Sequence, residues 1–171
     1  MMKQIALIGT SHKYQKEDKD CSKQDVQAFK DFLEKACRVY NIRTVAEEMS
    51  EQALEEAHRN NSIPQQAAKA LSLKHLFCDP DGERRALLGI EYETAIDVEV
   101  FFDRVSCDEA KRRKCESRTK RELYWLERLQ TVPESEWPVL FICGADHVKS
   151  FKGILEDNGF SVETIADDWS P

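Results

Sequence analysis

Two stretches far apart in the chain, QIALIG at 4–9 and WPVLFICG at 137–144, are continuous apolar runs that each stop at a glycine. A strand with one wet face alternates apolar and polar residues, so an unbroken run needs cover on both faces. That requirement points to a parallel sheet with helices packed against it.

The intervening segments supply the helices. Behind a Ser22 cap, Val26, Phe29, Leu33, Ala36 and Cys37 recur at spacings of three and four, the stripe of an amphipathic helix. IRTVAEEM at 42–49 returns to strand character. Residues 51–73 are helical in composition, broken at NNSIP, where Pro64 opens a second helix. LKHLFCDPDG at 73–82 is a short strand stopped by Asp79, Pro80 and Gly82. From 83 to 130 the chain reads as helix with a hinge near VSCDE, and Leu123, Leu126 and Leu129 share one side of its last part. HVKSFKGILEDNGF is an amphipathic helix ending near Gly159, and SVETIA is a last strand. The expected fold is α/β, a single domain over 1–166 with an open, mainly parallel sheet, followed by a loose tail at 167–171.

A formal net charge of −7 argues against a nucleic-acid partner. The local basic stretch KRRKCESRTKR at 111–121 reads as the solvated face of a charged helix, with Arg121 turned inward because it lies four residues before Trp125. The six cysteines show neither CxxC pairing nor zinc-finger spacing. The opening MMKQIALIG reads as a strand rather than a signal peptide, and no apolar run is long enough to cross a membrane. A cytoplasmic chain with reduced thiols and no membrane partner is therefore expected.

Parallel strands joined by right-handed crossovers bring the residues beyond their C-terminal ends to one edge. Here that rule gathers His12 after the first strand, Glu47 and Glu48 after the second, Asp79 after the third, and Asp146 and His147 after the fourth. Gly9 with Thr10, and Gly144, let the chain turn and bring backbone amides close to a ligand. Taken singly, each residue has an ordinary structural reading: a loop histidine, a solvated glutamate, an Asp-Pro turn. Their convergence is what marks a site. The remaining histidines lack it, since His58 reads as an exposed helix end and His75 as a packed or half-exposed strand residue. Two imidazoles and several carboxylates on one rim can hold a divalent metal such as zinc, manganese or cobalt, or activate a water by general base catalysis.

The order of these motifs, a strand ending GTSH, a strand ending AEEM, an aspartate after a third strand, KRELYWL on a late helix and a strand ending GADHV, resembles the superfamily of TraB/PrgY proteins, Tiki metalloproteases, erythromycin esterases and ChaN haem-binding proteins. The likeness runs from Gly9 to about Gly159 and is loose over 83–117. It implies that His12 and His147 are the paired motif histidines and that Glu48 is their acidic partner. It also implies that Arg121 and Glu122 form a helix-borne charged pair facing the site, and that Asp79 ends the third strand. Glu47 takes the place of Glu48 if the strand register slips by one residue. The chain is shorter than the esterases and the Tiki proteins, and it lacks the membrane segments of Tiki and of many TraB-like proteins.

The resemblance implies a small hydrolase that cleaves an ester or amide of a small-molecule or peptide substrate with an activated water. Glu48 and one histidine would position or deprotonate the water. The other histidine would bind a metal or polarise the carbonyl, and Arg121 would steady the oxyanion, with Glu122 orienting Arg121 or a histidine. A module that holds a metal, an anion or a metabolite in the same cleft without turnover is the alternative. His12, Glu48 and His147 make three metal ligands, but a guanidinium at Arg121 would repel a divalent ion and favours a metal-free site.

Overall fold

The computed structural model describes residues 3–171. Five strands form one all-parallel sheet in the order β3-β2-β4-β1-β5, with β1 at Gln4–Thr10, β2 at Thr44–Glu47, β3 at Lys74–Phe77, β4 at Val139–Gly144 and β5 at Ser161–Trp169. The two apolar runs become the adjacent central strands: β1 pairs with β4 from Ile5↔Val139 to Thr10↔Gly144. Every residue of β4 is buried, as is all of β1 after Gln4.

The two faces have separate cores. On one, Ala6, Ile8, Val45, Leu140 and Ile142 meet α2 (Lys23–Val39) and α4 (Ile63–Ala70) through Val26, Phe29, Leu33, Ile63 and Ala67. On the other, Ile5, Leu7, Ala46, Phe141 and Cys143 meet α7 (Cys107–Gln130) and α8 (Val148–Asp157) through Trp125, Leu129, Phe151 and Leu155. Full burial of side chains this size stabilises by roughly 1.5–3 kcal/mol each, relative to leaving them exposed. Ser22 caps α2 in a reciprocal box with Asp25, and Ser62 caps α4 just before Ile63 and Pro64. Two short helices complete the first half, α1 (His12–Lys16) and α3 (Glu51–Glu56). Between β3 and α7 lie α5 (Gly82–Leu88) and α6 (Glu93–Phe101).

The direction in which strands are added across the sheet reverses, although all five run parallel. From β1 the chain moves through β2 to β3 by helices on one face; from β3 it returns through β4 to β5 by helices on the other. Neighbouring strands β1 and β4 thus send their connections to opposite faces, which opens a crevice between their C-terminal ends.

The expected loose tail at 167–171 is a correction, because β5 continues to Trp169. The Trp169 ring packs on Phe29, Phe32 and Tyr14 with centroids 4.7, 5.5 and 5.3 Å away, so an apolar anchor holds the strand end. All six cysteines are free thiols, and burial pushes Cys37 up to about 12 and Cys143 well above its usual value. Among the described residues, no helix is long and apolar enough to cross a membrane.

Candidate active site

The crevice holds a cleft of about 700 Å³ whose lining includes Thr10, His12, Glu48, Arg121, Gly144, Asp146 and His147. Helix α1 starts directly at the end of β1, so His12 stands in its first turn over the cleft, with Lys16 one turn on. Glu48 follows β2 and is held between two donors. Arg121 Nη2 donates to its Oε1 at 2.6 Å, and the backbone N–H of Gly144 donates to Oε2 at 2.7 Å. The imidazoles approach from both sides, with His12 Nε2 3.5 Å and His147 Nε2 3.6 Å from Glu48 Oε1. A side chain at position 144 would put its Cβ 3.2 Å from His12 Nε2 and 3.4 Å from Glu48 Oε2, so the glycine keeps this meeting point clear.

His147 sits where the helical turn after β4 leads into α8. Its Nδ1 is 2.7 Å from Glu122 Oε1, and the Ser150 hydroxyl donates to the same oxygen at 2.7 Å. A carboxylate at Nδ1 fixes the tautomer that carries its proton there and leaves Nε2 as the basic atom, facing the cleft. Trp125 packs edge-on to the ring, with centroids 4.8 Å apart. Arg121 is anchored as firmly. Asp79 Oδ1 accepts from its Nε at 3.0 Å, from its Nη2 at 2.8 Å and from Trp125 Nε1 at 3.0 Å, while Oδ2 accepts from Arg85 at 2.6 Å. Burial alone would raise the Asp79 carboxyl, but Arg121 and Arg85 together hold it below the ordinary range. Burial likewise works against the Arg121 charge, yet Glu48 and Asp79 raise it above the usual arginine value. Among the described residues, Arg121 Nη1 has no hydrogen-bond partner, so it remains free to donate.

Several expected site residues belong elsewhere. Glu47 points to the opposite face, fully buried, where its Oε1 meets the Ser62 hydroxyl and His75 Nε2, the latter at 2.7 Å. Side chains alternate along β2, so Glu47 and Glu48 cannot both face the cleft, and the register selects Glu48. Asp79 does not line the cleft; it is the anchor behind Arg121. Gly9 serves the fold rather than a ligand, because a Cβ there would lie 2.0 Å from the Asp167 carbonyl oxygen of β5. The Thr10 hydroxyl donates to the Trp169 carbonyl at 3.0 Å. Asp146 stands largely exposed on the rim, 3.9 Å from Arg118.

Arg121 is also not alone in turning inward from the basic stretch. Arg118 lines the cleft and donates to Glu93 at 2.7 Å, and Arg113 pairs with Glu91 and Glu99. Arg112 is solvated as expected, bound only to Glu109 and Glu116 on its own helix. Positions 118, 121, 122 and 125 repeat at three and four, so the stripe that pointed to Arg121 already contained Arg118. Ser150, three residues after His147 on the same helix, was open to the same argument. Tyr92 and Glu93 had no such signal, because only the path of α5 and α6 brings them to the rim.

The donor set does not fit a divalent metal. Both oxygens of Glu48 already accept hydrogen bonds, one from a guanidinium that would repel a cation beside it. Among the described residues, no group of three or more His, Cys, Asp or Glu side chains is arranged to hold a metal ion. No family model, curated protein or solved structure matches the chain.

Proposed function

We propose that this protein is a hydrolase of the TraB/Tiki/erythromycin-esterase/ChaN type, cleaving an ester or amide with a water that His147 activates. The observation that carries the reading is the buried Glu122–His147 pair, which leaves a basic Nε2 3.6 Å from Glu48 Oε1 at the floor of the cleft. The role of base passes from Glu48 to His147, because both Glu48 oxygens are already engaged by donors. In this mechanism His147 Nε2 takes a proton from water, and the Glu122 carboxylate stabilises the imidazolium that forms. The hydroxide adds to the carbonyl carbon while Arg121 Nη1 donates to the oxygen that becomes negative. Collapse breaks the bond to the leaving group, which takes the proton back from His147. Glu48 holds Arg121 in place, and His12, half-exposed on the rim, polarises the carbonyl from the other side.

The half-exposed His12 also supports a second reading, a module that binds an anion or metabolite without turnover, since a wet site excludes solvent poorly. One experiment separates the two. Panels of activated esters and peptide amides are incubated with the protein in ¹⁸O-water, with His147→Ala as the control. Hydrolysis that places ¹⁸O in the acid product and is lost in the variant supports the enzyme. No turnover on any substrate, with a ligand still displaced from the cleft by His12→Ala, supports the binder.

A further inference from the structure

The segment 82–106, between β3 and α7, is attached to the protein in a different way from everything else. It contributes no residue to either main core. Helix α5 buries no side chain, and α6 buries Ile96 alone; Ile90 between them is the segment's other buried apolar residue. Its large apolar side chains face outward instead, with Leu87 72%, Val98 53%, Phe101 81% and Phe102 59% exposed. Beyond these two isoleucines, what joins it to α7 is mainly charge. Arg113 pairs with Glu91 and with Glu99 at 2.7 Å, Arg118 with Glu93 at 2.7 Å, and Lys114 with Asp97. Lys120 Nζ donates to the Gly89 carbonyl at 3.1 Å, and Ser117 Oγ accepts from the Glu91 N–H at 3.0 Å.

The same segment walls one side of the cleft through Arg85, Glu91, Tyr92, Glu93 and Thr94. One of these reaches further in. Arg85 donates to Asp79 Oδ2 at 2.6 Å, and Asp79 Oδ1 holds Arg121. Ion pairs at partly exposed positions are weak singly and are screened by salt, whereas apolar cores are not loosened by it. A wall held this way opens at lower free energy than the sheet beside it.

We propose that residues 82–106 form a lid latched over the cleft by ion pairs to α7, with Arg85 as a positioning residue that couples the lid to Arg121 through Asp79. The lid governs access to the cleft whatever is bound or turned over there, so it stands apart from the hydrolytic reading. When the latch opens, Arg85 leaves Asp79 and Arg121 loses part of its anchor. When it closes, the guanidinium is set against Glu48.

Hydrogen exchange of the full chain, followed by mass spectrometry, tests the latch without any assay of activity. Raising sodium chloride from about 50 mM to about 1 M should speed exchange of amides in 86–103 about tenfold, while those of β1 and β4 stay unchanged. Arg113→Ala/Arg118→Ala should reproduce that acceleration at low salt, and the protection of β1 and β4 reports whether the variant has folded. Segment amides as protected as the sheet and indifferent to salt in the wild-type chain would overturn the lid. The coupling is read at the Trp125 indole N–H, which donates to Asp79. Its ¹⁵N-resolved NMR signal should move in Arg85→Ala and return towards the wild-type position in Arg85→Lys. An unmoved signal in Arg85→Ala would overturn the coupling while leaving the latch standing.

Discussion

Among the described residues, two pairs of glutamate and histidine each have a contact of 2.7 Å, one buried and one part-buried, and their surroundings differ. Glu122 holds His147 by Nδ1 and leaves Nε2 to the cleft, beside Glu48 and Arg121. Glu47 holds His75 by Nε2 on the edge strand β3, where the ring packs edge-on to Phe77 and Ser62 is also committed to capping α4. No guanidinium pairs with Glu47, and among the described residues its Oε2 has no partner at all. A carboxylate beside an imidazole is therefore not a site by itself. It becomes a candidate where a reversal of strand order brings several strand ends, and their polar groups, to one crevice.

The largest effect expected from this contrast is kinetic. On an ester that the wild-type chain turns over, His147→Ala should lower kcat/KM by about 10²–10⁴-fold, the usual worth of a general base. His75→Ala should leave kcat/KM per folded molecule unchanged. Progress curves of both variants check this, and an equal loss in the two would break the distinction between the pairs.

Stability should separate them in the opposite sense. Removing His75 leaves Glu47 buried without its basic partner, a loss that costs about 3–5 kcal/mol in pairs of this kind. Urea unfolding should place His75→Ala well below His147→Ala: each glutamate keeps a serine hydroxyl, Ser62 on Glu47 and Ser150 on Glu122, but among the described residues Glu47 also carries a buried Oε2 with no partner. A double variant, Glu47→Met/His75→Phe, removes both polar partners together and should recover most of the deficit. If the double variant is less stable than His75→Ala, the second pair contributes more than mutual satisfaction of buried charge.

The reasons the two pairs were unequally legible are physical. The parallel α/β fold was open to reading because β1 from Ile5 to Gly9 and the whole of β4 are apolar and the turns after them are short. Once the strands run parallel, His12, Glu48 and His147 must share an edge. The side to which each glutamate of the EE dipeptide turns depends on a one-residue register, which no composition reveals. Segment 83–106 was legible as helix, with the break before α7 near the expected hinge, but its position was not, since charged partners on a separate helix fix it and no periodic apolar stripe does so. The DDWSP end misled because three polar residues surround one tryptophan, and that tryptophan alone anchors it.

The smallest expected effect is one of pH, and it concerns Asp79, which anchors Arg121 of the first pair's cleft and lies two residues beyond Phe77, the packing partner of the second pair's His75. Burial raises its carboxyl, but Arg121 and Arg85 outweigh that and leave it below its ordinary value. A carboxyl depressed in the folded state binds fewer protons there than in the unfolded chain. Its contribution to stability is therefore full above the ordinary carboxylate range of about 4 and is lost as pH falls through the folded value. The wild-type chain should lose part of its urea midpoint between neutrality and about pH 3, and Asp79→Asn should lose less over the same interval, having no charge there to forfeit. The variant should also start lower at neutrality, since its amide cannot neutralise two part-buried guanidinium groups. Parallel midpoint curves for the two proteins would mean that Asp79 does not carry the acid sensitivity, and that the anchor of Arg121 is held by packing on Trp125 rather than by charge.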